Sequence, residues 1–257
     1  MATSERVPGR YDRLGVGYLQ TRREDPRLVA RIHAGLGNAR SVVNVGAGPG
    51  AYEPRGLAVV AVEPSAVMIA QRPAGAAPAV RAAAEALPFG QQQFDAAMAL
   101  WTIHHWADPG QGIAQLRRVA RSAVIVAASE RLNQLWLTRD YFPAMTRARR
   151  PEIQPNRIAA LLGGNVRIEP FPVPRDCLDG FAEAFWARPE AYLDSRIRAG
   201  MSAFRLLDDA EISLGLQQLQ ADLRSGAWEA RHGNLRQLGE FDCGLRLIIA
   251  TGIDAPT

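Results

Sequence analysis

Short apolar runs alternate with helical patterns over the first half of the chain. The runs are too brief for buried helices and lie at 42–45, 59–62, 80–83, 94–100 and 124–126, with Arg81 and Asp95 as their charged members. Continuous apolar runs of this kind are typical of strands buried on both faces. Strands that alternate with helices require crossover connections, which give a parallel sheet covered on both sides. The pattern therefore predicts a doubly wound α/β fold.

Helix boundaries are marked by capping residues. Asp25 precedes a proline, and the residues after it place apolar side chains at helical spacing until Gly37. This combination predicts a helix that begins at Pro26. Ser65 is placed to cap a short helix over 66–71, which Pro73 ends. A further helix is predicted over 112–119.

The pattern changes after residue 130. A helix is predicted over 156–162, and strands over 166–171 and 245–250. Between these strands lies a long stretch, about 178–231, that we interpret as helical. We expect it to form a cap insertion, about 177–233, over the carboxyl edge of the sheet. The predicted organisation is thus an N-terminal helical segment (1–40), a core (41–130), and the remaining core strands with the cap (131–257).

Composition narrows the chemistry. The chain has 257 residues, of which 47% are hydrophobic and 22% charged, values typical of a globular protein. The chain contains no lysine, so arginine is its one permanently charged basic residue type. Schiff-base chemistry and lysine-dependent phosphate loops are therefore excluded. Neither a membrane-length apolar run nor a secretory leader is visible, so we expect a cytoplasmic protein. Cys177 and Cys243 are expected to be unreactive packing residues.

A glycine-rich turn follows the first strand. Gly46, Gly48 and Gly50 would let the backbone bend sharply and approach a ligand closely. This turn alone is weak evidence, because Gly46, Gly48 and Ala51 also fit a dinucleotide fingerprint. Pro54, however, leaves room for only about one helical turn before the second strand, whereas a pyrophosphate site needs a helix N-terminus. The spacing favours a nucleoside ligand without a diphosphate.

An acidic residue ends the second strand. Glu63 is placed where a carboxylate can accept hydrogen bonds from both hydroxyls of a ribose. A third cluster follows at 84–89, just before the fourth strand. The order of these segments distinguishes the chain from a general nucleotide-binding domain.

These residues resemble those of the class I S-adenosylmethionine-dependent methyltransferases, particularly the group that acts on small molecules. The match runs from about 11 to 128. The resemblance implies a Rossmann-like sheet of about seven strands, mostly parallel with an antiparallel final strand. It implies S-adenosyl-L-methionine as the cofactor and methyl transfer to a small-molecule acceptor through an O, N or C nucleophile. Asn44 and Ala83 depart from the family, which usually has acids there.

The resemblance also implies which residues bind the cofactor. The N-terminal segment would lie across the cofactor, with Arg22 pairing with the methionine carboxylate, and the Ala84 and Glu85 amides would meet the adenine edge. The segment after the fourth strand would line the methionine end. The implied cofactor-binding residues are Tyr11, Tyr18, Arg22, Asn44, Gly46, Ala47, Gly48, Gly50, Glu63, Pro64, Ala84, Glu85, Leu100 and Trp101.

Two histidines follow the fourth strand. His104 and His105 stand at the edge where such folds bind ligands, and imidazole titrates near neutrality, so either is a candidate general base. A base is not required, because methyl transfer to a good nucleophile depends mainly on alignment. Residues 130–141 are candidates for contacting the acceptor. Trp186, with Arg188 or Asp176, could build an aromatic acceptor pocket, although packing of the cap on the sheet is the favoured interpretation.

Other partners rank lower. The basic cluster at 146–150 is short and lacks interleaved aromatic residues, so a nucleic-acid substrate is not favoured. No cluster has metal-ligand spacing, and we expect no membrane partner and a monomer or homodimer. Two alternatives remain open. One is an S-adenosylmethionine-binding protein with non-methylating chemistry or a regulatory role, and the other is an NAD(P)-dependent oxidoreductase. An RNA methyltransferase ranks below both.

Overall fold

A central sheet of seven strands organises the computed structural model, which describes residues 22–148 and 153–254. Its strands in chain order are β1 (Ser41–Val45), β2 (Ala58–Val62), β3 (Ala79–Val80), β4 (Ala96–Leu100), β5 (Ala123–Ala128), β6 (Asn165–Pro170) and, after the small strands β7 (Val173–Pro174) and β8 (Glu240–Phe241), β9 (Leu245–Thr251). The spatial order is β3-β2-β1-β4-β5-β9-β6. The first five strands are parallel, and β9 runs antiparallel to β5 and β6. This confirms the predicted doubly wound sheet with an antiparallel final strand.

Helices connect most of these strands. The α-helices are α1 (Pro26–Gly35), α2 (Ala66–Ala70), α3 (Pro109–Val119), α4 (Pro155–Leu162), α5 (Ser195–Ala199), α6 (Asp209–Ser225) and α7 (Ala227–His232). One π-helical turn spans Leu137–Tyr141. Short 3₁₀ helices lie at Ile103–His105, Glu130–Gln134, Pro143–Ala148, Ala182–Phe185, Pro189–Leu193, Phe204–Leu206 and Gly233–Gln237.

Side-chain caps explain where the core helices begin. The Asp25 carboxylate accepts a hydrogen bond from the Arg27 amide, and the Ser65 hydroxyl accepts one from the Met68 amide, as the sequence predicts. Helix α3 begins earlier than predicted. Its N-cap is Asp108, and the proline that follows occupies the first turn without needing an amide donor.

The connection from β1 to β2 contains turns but no helix over 46–57, all of which are described. The prediction of about one helical turn was slightly too generous. Because the proline at position 54 lacks an amide hydrogen and restricts the residue before it, the segment stays irregular. No helix therefore begins in the connection that directly follows β1.

The C-terminal segment differs more from its prediction. The expected long helical stretch is broken into short 3₁₀ and α-helical pieces, and α6 is its one long helix within the described residues. β7 and β8 also form a separate two-stranded sheet that was not predicted. Prolines and glycines interrupt the helical pattern, and the large aromatic side chains turn inward. Trp186 and Trp228 are both fully buried.

Two apolar layers cover the sheet. Val42, Met98 and Val124 face one layer, while their strand neighbours Val43 and Ala97 face the other. The strand order reverses direction between β1 and β4, and a crevice opens at such a point beyond the carboxyl ends of the strands. In the two described ranges, no helix combines the length and apolar composition needed to cross a bilayer.

Candidate active site

The glycine turn sits at the carboxyl end of β1. Gly46, Gly48 and Gly50 have φ values of 71°, 52° and 97°, in the left-handed region that favours glycine. The Gly46 and Ala47 amides donate hydrogen bonds of 2.8 and 3.0 Å to the Val62 carbonyl. A Cβ on Gly46 would overlap the Thr102 side chain. Glycine is therefore required there both by the backbone angle and by packing.

Glu63 is held against this turn. One carboxylate oxygen accepts a 2.9 Å hydrogen bond from the Gly48 amide, and the other accepts a 2.9 Å hydrogen bond from the Ser65 amide. The residue is only 5% exposed. Each carboxylate oxygen has two lone pairs and can therefore accept more than one hydrogen bond. The two backbone bonds fix the orientation of this carboxylate at the edge of the cavity.

A buried ion pair between Arg72 and Glu53 contacts the glycine turn. Asn44, where the related enzymes usually have an acid, donates a 3.2 Å hydrogen bond to the carboxylate of Glu53. Arg72 pairs with Glu53 at 2.7 Å and also donates to the Gly48 carbonyl at 3.2 Å. The side chains of Arg72 and Glu53 are 6% and 10% exposed. The negative charge missing at Asn44 is thus supplied nine residues later, where it fixes Arg72 on the turn.

Helix α3 holds the segment at 84–89. The Arg118 guanidinium donates to the Phe89 carbonyl at 2.6 Å and to the Leu87 carbonyl at 2.7 Å. The Gln115 side chain accepts from the Leu87 amide at 3.3 Å. These long-range contacts fix an irregular segment whose Ala84 and Glu85 reach the same crevice as the glycine turn.

Aromatic side chains line part of the crevice. Tyr52 and Trp101 have positive φ angles of 65° and 51°, which are unfavourable for residues with a Cβ and commonly occur at functional sites. Their ring centroids are 5.3 Å apart, and Phe181 lies 5.2 Å behind Trp101. The indole Nε1 of Trp101 is buried and has no hydrogen-bond partner among the described residues.

A polar network lies behind this aromatic wall. Arg22 pairs with Asp179 through two hydrogen bonds, from Nε at 2.6 Å and from Nη2 at 3.0 Å. The Tyr52 hydroxyl donates to the same carboxylate at 2.8 Å. Burial, together with the negative charge of Asp179, raises the pKa of the Tyr52 phenol well above its usual range. Tyr52 therefore remains a hydrogen-bond donor at neutral pH.

These elements enclose a cavity of about 300 Å³. Most of the predicted cofactor residues line it, namely Arg22, Asn44, Gly46, Ala47, Gly48, Glu63, Pro64, Ala84, Glu85, Leu100 and Trp101. Gly50 supports the turn next to Arg72 without lining the cavity, and Tyr11 and Tyr18 lie outside the described residues. Thr102 and Trp106, from the segment expected to line the methionine end, also line the cavity. The lining residues that the sequence did not indicate are Pro49, Ala51, Tyr52, Ser65, Met68, Ala83 and Ala107. Most of these are direct neighbours of predicted residues, a signal that could have found them.

The two histidines differ in their position relative to the cavity. Both lie on the 3₁₀ helix that follows β4, with ring centroids 3.8 Å apart. His105 lines the cavity, and His104 is not among the lining residues. Within the described chain, no group of histidine, cysteine and acidic side chains could hold a metal ion.

The residues suggested for an aromatic acceptor pocket have structural contacts instead. Trp186 is fully buried, and its Nε1 donates to the Val173 carbonyl at 3.0 Å. Arg188 donates to backbone carbonyls of its own segment, and Asp176 is exposed and pairs with Arg27. From 130–141, Trp136 is likewise buried and donates to the Trp186 carbonyl. The favoured packing interpretation agrees with these contacts.

A doubly wound sheet with a glycine turn, a buried acid after β2 and no helix for a pyrophosphate defines a nucleoside-binding α/β enzyme. A model of the methyltransferase domain matches residues 43–128. A solved protein described as a methyltransferase from an antibiotic biosynthesis pathway of Anabaena variabilis is 33% identical, with 90% of this chain and 99% of that chain covered and a TM-score of 0.82. The chain belongs to the class I S-adenosylmethionine-dependent methyltransferases, and its cofactor is S-adenosylmethionine.

More distant structures share the fold. The YcgJ protein of Bacillus subtilis is 15% identical, with 91% of this chain and all (100%) of that chain covered and a TM-score of 0.55. The [4+2]-cyclase SpnF is 14% identical, with 98% of each chain covered and a TM-score of 0.56. Among curated proteins, none matches this chain in sequence.

The site fits this cofactor. The backbone of the glycine turn lines the cavity, where a ligand can approach it closely, and the Glu63 carboxylate offers acceptors suited to ribose hydroxyls. Arg22 brings a permanent positive charge to the cavity, which suits the carboxylate of the methionine part. The connection over 46–57 supplies no helix dipole, and a sulfonium nucleoside requires none.

Proposed function

We propose that the protein transfers the methyl group of S-adenosylmethionine to a small-molecule acceptor by in-line displacement. When bound, the cofactor supplies an electrophilic methyl group on a sulfonium. The protein's own residues bind the two ends of the cofactor, align the acceptor and exclude water. The observation that carries the proposal is the aromatic wall of Tyr52 and Trp101, which lines a cavity of small-molecule size beside the glycine turn.

The C-terminal segment stands directly behind this wall. Phe181 packs on Trp101, and Asp179 contacts both Arg22 and Tyr52. We infer that residues 131–257 complete the acceptor side of the site, while the N-terminal segment 1–40 covers the cofactor bound to 41–130. The similar protein of Anabaena variabilis is assigned to an antibiotic biosynthesis pathway, which supports a small-molecule acceptor.

The charges of the cavity argue against nucleic acid. Its charged lining residues are Arg22, Glu63 and Glu85, an excess of acid that suits no phosphate chain. Arg22 is the one basic side chain among these described lining residues, and it already forms an ion pair with Asp179. In the basic cluster, Arg147 pairs with Glu211, while Arg149 and Arg150 lie outside the described residues.

His105 is the better placed of the two candidate bases. It lines the cavity just after Thr102, next to the aromatic wall, where it can accept a proton from an oxygen or nitrogen acceptor. A carbon nucleophile or a pre-ionised oxygen would need no such base. His105→Asn should therefore lower kcat for a neutral hydroxyl acceptor by a larger factor than it weakens cofactor binding.

Calorimetry and mass spectrometry together test the proposal. Calorimetric titration should show binding of S-adenosylhomocysteine and no binding of NAD⁺ or NADP⁺. Incubation with methyl-deuterated S-adenosylmethionine, a panel of small hydroxylated and amine-bearing metabolites and, separately, total RNA should place the label in a small molecule. Label in RNA would refute the small-molecule acceptor. Product formation without label transfer would favour non-methylating chemistry, which the [4+2]-cyclase name of one structural neighbour illustrates for that protein.

A further inference from the structure

Asp179 is a buried carboxylate with every hydrogen-bonding position used. It is 1% exposed, although it lies in an irregular segment between β7 and the next 3₁₀ helix. Oδ1 accepts from Arg22 Nε at 2.6 Å and from the Gly180 amide at 2.7 Å. Oδ2 accepts from Arg22 Nη2 at 3.0 Å and from the Tyr52 hydroxyl at 2.8 Å. A carboxylate has about four lone-pair sites, so this one is saturated.

The contacts of Asp179 join three distant parts of the chain. Arg22 precedes α1, Tyr52 lies in the connection after β1, and Asp179 is 157 residues beyond Arg22. Neighbouring bonds strengthen the junction, since the Glu24 carboxylate accepts from the Tyr52 amide at 2.5 Å and Asp25 accepts from the Leu178 amide at 3.1 Å. Arg22 and Tyr52 both line the cofactor cavity.

We propose that Asp179 is a positioning residue that holds Arg22 and Tyr52 in place for the amino-acid end of the cofactor. This inference rests on the proposed function. The cofactor carries one carboxylate, and Arg22 is the one permanently cationic side chain among the described residues that line the cavity. Asp179 therefore acts through Arg22 rather than by touching the cofactor.

Guanidinium geometry gives the physical reason. Arginine loses considerable rotamer freedom when it is held in one orientation, and the paired contact to Asp179 fixes the plane of its side chain before the ligand arrives. The Nε and Nη2 edge is the one that Asp179 occupies. A preorganised arginine binds a carboxylate more tightly because less freedom is lost on binding. The negative charge of Asp179 opposes this gain, but Arg22 lines the cavity and Asp179 does not, so Asp179 would not occupy the position of the ligand carboxylate.

The test compares two ligands that differ at the amino-acid end. S-Adenosylhomocysteine carries the carboxylate, and 5′-methylthioadenosine lacks it. We expect Asp179→Ala to weaken S-adenosylhomocysteine binding in calorimetry roughly five- to tenfold, and to leave 5′-methylthioadenosine binding unchanged. Asp176→Ala is the matched control, because that exposed acid pairs with Arg27 outside the cavity and should change neither affinity.

A second substitution separates positioning from general support of the fold. In an Arg22→Met background, Asp179→Ala should cause no further loss of S-adenosylhomocysteine affinity. Equal weakening of both ligands by Asp179→Ala, or an unchanged affinity for S-adenosylhomocysteine, would overturn the inference. If Asp179→Ala does not fold, Tyr52→Phe is the alternative variant, because it removes one contact to Asp179. It should weaken the binding of S-adenosylhomocysteine and leave the binding of 5′-methylthioadenosine unchanged. If Tyr52→Phe weakens the binding of both ligands, or of neither, the inference is overturned. Failure of the wild-type protein to bind either ligand would instead refute the proposed function.

Discussion

Substitution of Glu63 by glutamine tests the cofactor site most directly. The carboxylate accepts hydrogen bonds from the Gly48 and Ser65 amides and is 5% exposed. Glutamine has nearly the same shape but only one acceptor oxygen. Its amide group would place a donor against one of the two backbone donors, and it could no longer accept from both ribose hydroxyls.

The magnitude follows from the bonds lost. A hydrogen bond to a charged group contributes about 1.5–3 kcal/mol, so losing one to the ribose should weaken cofactor binding roughly 10- to 150-fold. The unliganded protein should also be less stable, because a buried backbone donor without an acceptor costs about 1–3 kcal/mol. For a chain of this size, that corresponds to a melting temperature lower by about 2–10 °C.

Isothermal titration with S-adenosylhomocysteine and a thermal melt measure the two effects separately. Glu169→Gln is the control, since this residue lies on β6 and forms an exposed ion pair with Arg167. The control should match the wild type in both assays. A Glu63→Gln protein that binds S-adenosylhomocysteine within twofold of the wild type would refute the assignment of Glu63 to the ribose.

Two further predictions concern the glycine turn and the first helix. Gly46→Ala should unfold at a lower temperature than Gly56→Ala and lose cofactor affinity. Both glycines have positive φ angles, but of the two only Gly46 would place a Cβ against Thr102. This overlap should lower the free energy of unfolding of Gly46→Ala by a further ~1–3 kcal/mol. Equal melting temperatures for the two variants would contradict this. Asp25 has its pKa lowered to about 2, mainly by the hydrogen bond from the Arg27 side chain. Because a lowered pKa stabilises the protein above the unfolded value of 3.8, the stability advantage of the wild type over Asp25→Asn should be full at neutral pH and disappear as the pH falls from about 4 to 2. Urea unfolding at several pH values measures it, and a difference that does not change with pH would contradict the assignment.

Local chemistry explains what could be read from the sequence. The capping residues Asp25 and Ser65 mark helix starts because their side chains bond to amides two or three residues away. The glycine turn is recognisable because its backbone angles exclude most other residues. Glu63 could be singled out from the sequence because it directly follows the second predicted strand, at the edge where such folds bind ligands. Short apolar runs with intervening helices were enough to predict the parallel sheet, and the resemblance added its final antiparallel strand.

The long-range polar network was not predictable in this way. Arg22 and Asp179 are 157 residues apart, and nothing near either one indicates the other as a partner. Likewise, the hold of Arg118 on the segment at 84–89 and the exclusion of His104 from the cavity depend on how elements pack. The broken C-terminal helices have a local cause in the prolines and glycines that interrupt them, but the inward orientation of the buried Trp186 and Trp228 depends on packing.

The difference between the features that could be predicted from the sequence and those that could not has one physical cause. Caps, turns and strand ends are satisfied within a few residues, so the chain specifies them by itself. A buried charge, an oriented guanidinium or a strained aromatic residue must find its partner across the fold, and tertiary structure alone decides which one it meets. The residues proposed to bind the ribose belong mostly to the first kind, and those proposed for the amino-acid end of the cofactor to the second.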